Sequence, residues 1–138
     1  MFTKENLDKL DALRKRYPTS QALTLPALWI AQEQFGWISP ETMTYLAGLL
    51  NVPVSHIYGV VTFYTMFNLH PAGENLVQVC TTTPCWLRGS DDIVATCRQE
   101  TGIKGWGETS ADGLFTMTEV ECVGACVNAP ILQVDDDY

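Results

Sequence analysis

Two pairs of cysteines constrain this chain more than any other feature: Cys80-Thr-Thr-Thr-Pro-Cys85 and Cys122-Val-Gly-Ala-Cys126. Four residues separate the thiols of the first pair and three those of the second. The pairs stand 36 residues apart, room for a helix and a strand, so a fold can bring them face to face. Four thiolates meeting at one place suit a 2Fe-2S cluster, a structural zinc ion or, once oxidised, two disulfides. Zinc knuckles favour C-x2-C, whose tight turn fits one tetrahedral ion, and both loops here are wider. A binuclear cluster spreads its thiolates over two irons and tolerates wide loops. Thiol redox enzymes use C-x-x-C, which this sequence lacks. Spacing therefore favours iron–sulfur and leaves zinc and disulfides open.

A chain of 138 residues is one ordinary domain or two small modules, and 46% hydrophobic residues can fill a core without help from the cysteines. The net charge of −8 argues against nucleic acid, whose phosphates demand Lys and Arg. It suits solubility, or a basic partner. No apolar run approaches the roughly 20 residues of a membrane helix, so no direct membrane insertion is expected. The opening Met1-Phe2-Thr3-Lys4-Glu5-Asn6 is unlike a signal or transit peptide. An unexported chain keeps its five cysteines in a reducing compartment, as thiolates rather than disulfides.

The pattern divides into an N-terminal helical module over 1–72 and an α/β domain over 73–138. Thr3 is the expected N-cap of a first helix, with Phe2 and Leu7 as its hydrophobic staple. Leu7, Leu10, Leu13 and Tyr17 follow at helical spacing until Pro18. A second helix starts near Thr24, carries Leu28, Ala31 and Phe35 on one face, and ends at Gly36. Ser39-Pro40-Glu41 caps a third, with Met43, Leu46, Ala47 and Leu50 inward. A short fourth helix is expected from Pro53 to about Val61. Phe63, Tyr64, Met66 and Phe67 crowd the junction and read first as packing between the modules, second as a partner contact.

Beyond Gly73, Leu76-Val77-Gln78-Val79 is a strand that delivers Cys80 at its end. Ser90 is expected to cap a helix with Asp91 and Asp92 in its first turn and Ile93, Val94 and Cys97 on its buried face. Gly102 to Gly107 is loop, and its glycine spacing is not that of a dinucleotide fingerprint, so no nucleotide or flavin site and no catalytic residue is assigned. Leu114 to Val120 and Ile131 to Val134 are further strands. Cys97 reads as a structural thiol, and His56 and His70 as ordinary polar residues.

The runs Val79-Cys80-Thr81-Thr82-Thr83-Pro84-Cys85, Leu87-Arg88-Gly89-Ser90 and Glu119-Val120-Glu121-Cys122-Val123-Gly124-Ala125-Cys126-Val127-Asn128-Ala129-Pro130 resemble the thioredoxin-like 2Fe-2S subunit of respiratory NADH:quinone oxidoreductase (complex I). This is the E subunit of the bacterial enzyme, with a similar mitochondrial counterpart. Gly59-Val60-Val61-Thr62-Phe63-Tyr64-Thr65-Met66-Phe67 extends the resemblance into the first half. It implies a small helical bundle followed by a thioredoxin-like α/β domain. It also implies one 2Fe-2S cluster held by Cys80, Cys85, Cys122 and Cys126, exchanging single electrons with the flavin of an FMN- and NADH-binding subunit.

A larger iron–sulfur subunit is a further implied partner. The implied location is the cytoplasmic side of the inner membrane, peripheral, or the mitochondrial matrix in a eukaryote. Rival readings are the equivalent subunit of an NAD-linked hydrogenase or formate dehydrogenase, a structural zinc module, and a thiol–disulfide oxidoreductase. The sequence departs from the family twice. Trp86 follows a ligand where relatives commonly carry methionine; it either shields the cluster or anchors the next segment. Relatives also continue with a helix-bearing segment beyond Asp135-Asp136-Asp137-Tyr138, which leaves open how the last sheet face is covered. Gly124 is expected to bend the backbone close to the cluster, with φ above zero. The threonines of the first loop offer donors to the sulfurs.

Overall fold

The computed structural model describes residues 1–138 and divides into two compact units, Met1–Pro71 and Ala72–Tyr138. The first unit is helical: α1 Lys4–Arg14, α2 Thr24–Phe35, α3 Pro40–Leu50 and α4 Val54–Phe63, with a 3-10 turn at Gln21–Leu23 leading into α2. Local chemistry sets most of its boundaries. Thr3 caps α1, its hydroxyl accepting from the Asn6 N–H at 3.3 Å, and Phe2 and Leu7 both join the core. Gly36, at φ 79°, ends α2 in the left-handed conformation that a side chain disfavours. Ser39 caps α3, accepting from the Thr42 N–H at 3.1 Å, and Pro40 and Glu41 fill its first turn. Asn51, at φ 53°, closes it.

Fifteen buried residues form this unit's core, among them Leu10, Leu28, Met43, Leu46, Ala47, Leu50 and Ile57. Helix α1 stops at Arg14, short of the Pro18 boundary, and Tyr17 lies outside it and exposed. The residue before a proline is pushed out of helical geometry, so the chain leaves the helix early. Helix α4 starts one residue later than expected and runs two further. In the aromatic stretch, Phe67 packs into the helical core, 5.6 Å from the Trp29 ring, whereas Phe63 keeps 75% of its surface exposed.

The second unit is α/β. Strand β1 (Asn75–Cys80) leads through α5 (Thr83–Leu87) and α6 (Ser90–Thr101) to β2 (Glu108–Thr109), β3 (Phe115–Val120) and β4 (Leu132–Val134). The sheet order is β2-β3-β1-β4, with β1 and β3 parallel and each outer strand antiparallel to its neighbour. Alternation on β1 turns Val77 and Val79 inward, and Val77 stands in register with Met117. Ile93, Val94 and Cys97 of α6 pack against this layer, together with the buried Ile103.

Three details differ from the sequence reading. The first cysteine loop contains a helix, α5, because Thr82 is extended and Pro84 sits in the first turn, where its missing N–H costs nothing. Ser90 does not cap α6: Gly89, at φ 97°, takes the cap position and Ser90 becomes the first helical residue. The two-residue strand β2 has no counterpart in the sequence pattern; it is held by pairing of Glu108 with Met117 and Thr109 with Thr116.

Candidate metal centre

Because β1 and β3 are parallel and in register from Asn75–Phe115 to Cys80–Val120, their C-terminal ends finish side by side. Cys80 is the last residue of β1, and Cys122 comes two residues after β3. Cys85 lies in α5, and Cys126 opens a short 3-10 turn, Cys126–Asn128. One edge of the sheet thus carries both cysteine segments.

The two pairs differ in setting. Cys80 and Cys85 are each 1% exposed and share a small cluster with Ile131, flanked by Val120, Val123, Ala125 and Ala129. Cys122 and Cys126 are exposed. Burial pushes the Cys85 thiol up, a hydrogen bond with Cys80 adds to it, and the Ile131 backbone pulls it back; the charges of Cys80 and Cys126 push it up further. The Cys85 sulfur therefore lies close enough to those of Cys80 and Cys126 to feel their charge. Cys122 is held within its own loop, its sulfur accepting from the Gly124 N–H at 3.3 Å. Gly124 has φ 76° and open space where a Cβ would stand, so the backbone turn, and not crowding, calls for glycine there.

No three Cys, His, Asp or Glu side chains gather as donors around a single point. A binuclear cluster needs two thiolates per iron, and two pairs at one sheet edge fit that demand. The Cys85 thiol, which burial holds against ionisation, would give up its proton to a bound polycationic iron core.

The remaining residues fall outside the centre. Cys97 sits on α6 among the hydrophobic residues of the sheet layer, its thiol pushed up by burial. The His56 ring lies within hydrogen-bonding distance of Thr24 Oγ1, 3.1 Å, and of Gln21. The Thr81 hydroxyl donates to Glu119 Oε1 at 2.6 Å, so it is engaged by a carboxylate. Trp86 is 56% exposed and anchors no core. Sequence reading missed two features beside the centre. The Tyr138 hydroxyl donates to the Val123 carbonyl at 3.1 Å, tying the end of this sequence to the Cys122 loop. Ser90 Oγ is buried and unpartnered. Neither leaves a trace in periodicity or spacing.

Known proteins resemble this chain along nearly its whole length. The E subunit of the NADH-quinone oxidoreductase of Rickettsia bellii is 50% identical over 140 residues, covering 99% of this chain and 83% of the relative. The mitochondrial NADH dehydrogenase [ubiquinone] flavoprotein 2 of Dictyostelium discoideum is 49% identical, covering 99% of this chain and 56% of that protein. Among solved structures, an NAD+-reducing [NiFe]-hydrogenase in its air-oxidized state superposes with a TM-score of 0.69 over 82% of this chain. At 18% identity that likeness speaks for the fold alone, and the chain spans 19% of the hydrogenase chain. The family model described as thioredoxin-like [2Fe-2S] ferredoxin matches residues 10–138, and it is to this family that the chain belongs.

Proposed function

We propose that this chain is the 2Fe-2S electron-transfer subunit of an NADH:quinone oxidoreductase, working beside an NADH- and FMN-binding flavoprotein subunit. Its identity to the E subunits of such enzymes, near half over almost every residue, carries the reading. Cys80, Cys85, Cys122 and Cys126 hold the cluster, and the division at about residue 72 separates the helical module from the cluster-bearing domain. When bound, the cluster supplies one-electron exchange with the partner's flavin, which splits the two electrons of a hydride.

The chain's own residues set the terms of that exchange. Burial of Cys80 and Cys85 keeps water from one half of the centre, while Cys122 and Cys126 bring the other half to the surface where a partner docks. Exposed apolar side chains follow both segments: Trp86 and Leu87 after Cys85, Val127 after Cys126. Apolar, aromatic surface beside a redox centre suits a docking contact. Charge is divided sharply between the units. Met1–Pro71 carries five acidic and five basic residues, whereas Ala72–Tyr138 carries eleven acidic against three basic. The whole net charge of −8 therefore falls in the unit that carries the cysteines. Adding an electron there is unfavourable, which favours a low potential; all-cysteine plant-type centres sit near roughly −400 mV. The same charge draws a basic docking face, so association should slow with salt.

No helix is long and apolar enough to cross a membrane; the likeness to the E subunits supports a peripheral place in the complex, with the cytoplasmic side or the matrix as the expected location. A larger iron–sulfur subunit is the further expected neighbour. Anaerobic addition of NADH, with and without the flavoprotein, tests the division of labour. The visible band should bleach quickly only when the flavoprotein is present, and dithionite should bleach it alone. Rapid bleaching by NADH alone, or a colourless protein carrying stoichiometric zinc, would sink the reading.

A further inference from the structure

The ladder between β1 and β3 ends at the rung Cys80–Val120, where the two cysteine segments leave the sheet. Three hydrogen bonds then hold the first segment. The Cys80 N–H donates to the Ile131 carbonyl at 3.2 Å, tying the start of the segment to the residue before β4. The Cys80 thiol donates to the Glu121 carbonyl at 3.7 Å. That contact needs the thiol proton, which a cysteine gives up when its sulfur binds iron. The third bond joins the two segments and needs no cysteine proton: the Thr81 hydroxyl donates to Glu119 Oε1 at 2.6 Å, across 38 positions of the chain.

Glutamate is a poor choice for the place Glu119 occupies. It sits inside β3, where strands disfavour it, in register with the fully buried Val79. Its carboxylate reaches past that partner to the first residue after Cys80. A hydroxyl donating to a carboxylate makes a short bond, stronger than one between neutral groups. Thr82, next in the chain, precedes α5 without a side-chain capping bond, so of the two residues between β1 and α5 it is Thr81 whose side chain is tied down. Fixing Thr81 fixes the backbone on one side of Cys80 and limits how far α5, with Cys85, can swing. We infer that Glu119 is a positioning residue: through the Thr81 hydroxyl it holds the first cysteine segment against the second, so that both thiol pairs stay presented to one cluster. The assignment rests on the cluster reading above.

Thr81→Val removes the hydroxyl at nearly constant shape, and Glu119→Ala removes the acceptor; both leave all four cysteines in place. In protein purified with its cluster, the visible band should be lost to an iron chelator, without oxygen, at least about threefold faster in each variant than in wild type. Thr81→Ser keeps a hydroxyl and Glu119→Gln keeps an acceptor oxygen, so both should stay within about twofold of wild type. The double variant, Thr81→Val with Glu119→Ala, should be no faster than the faster single, because both changes remove the same bond. Wild-type rates in Thr81→Val, or a double variant in which the two effects multiply, would overturn the inference. So would Glu119→Gln behaving like Glu119→Ala, which would assign the effect to charge instead of the bond. Wild-type protein without iron and sulfide would instead overturn the cluster reading, and this inference with it.

Discussion

The two units bury their residues in different ways. The helical unit gathers fifteen buried side chains into one core, with equal numbers of acids and bases. The α/β unit, of similar length, splits its buried residues into a group of four along the sheet and a group of three around Cys80 and Cys85, and carries the whole net charge. One unit has the core of a self-sufficient fold. The other is thinly filled where the cysteines meet, and its charges repel one another. A cluster bound as proposed, tying four side chains from both ends of the crossover, would supply what this core lacks, as metal binding does in other small domains.

That comparison can be broken by experiment. The largest effect should come from Cys85→Ala, which removes a buried proposed ligand. The visible band should vanish, and amide protection across Ala72–Tyr138 should fall at least about tenfold, roughly 1.4 kcal/mol or more, while Met1–Pro71 keeps its protection. Equal loss in both units, read by hydrogen exchange, would show that they fold as one. Next in size, Leu46→Ala opens a cavity at a fully buried position of α3 and should cost about 2–5 kcal/mol in the helical unit. The cluster's spectrum should not change; a shifted spectrum would tie the helical core to the centre.

Cys97→Ala should cost less, on the order of 1 kcal/mol of packing, and leave the visible band intact. Loss of the cluster in this variant alone would mean that the wrong four thiols had been chosen. The smallest effect concerns pH. The Glu41 carboxylate is held below the usual range by its own backbone N–H and by the Ser39 hydroxyl at the start of α3. A carboxyl depressed in the folded state contributes stability that is present above its unfolded pKa, about 4.3, and is lost as pH falls through the folded value. Urea unfolding followed by far-ultraviolet circular dichroism should show Glu41→Gln less stable than wild type near neutrality. The two should converge in acid. A gap that widens in acid would reverse the sign. Glu108 and Asp112 of the α/β unit are depressed too, Glu108 chiefly by the Gly105 and Lys104 N–H groups, Asp112 chiefly by the Ser110 hydroxyl.

The same contrast governs how much can be read from sequence. Helix α3 is legible from end to end in Ser39-Pro40-Glu41 and the stripe Met43, Leu46, Ala47, Leu50, because caps and helical spacing are local. The cysteine segments are legible as a pattern, and the positive φ of Gly124 follows from its place between two thiols. What escapes is set by distant residues or by elements too short for periodicity. Helix α5 has five residues and no repeat to betray it. Strand β2 exists only through its pairing with β3. Ser90 looks like a cap because the left-handed turn at Gly89 shifts the helix start by one residue. Both cysteine pairs look alike in sequence, yet only the first is buried. Its cover comes from Ile131 and Ala129, some fifty residues further along the chain.

The parallel pairing of β1 with β3 has a consequence for the order of biosynthesis. Cys80 and Cys85 are made first, with 36 residues between Cys85 and Cys122, and the two segments meet only after the chain has crossed over and β3 has paired. Pairing of distant strands is slow, since the intervening loop must close before contacts reward it. Until Cys122 and Cys126 have been made, a nascent chain offers only the first of the two pairs, too few ligands for a binuclear cluster. Delivery must wait for a sheet that is already formed. On that sheet the first pair is walled in, and the exposed Cys122 and Cys126 form the side from which iron and sulfide can enter. On the proposed ligand set, the surface that would later meet an electron partner would also be the doorway through which the centre is first installed.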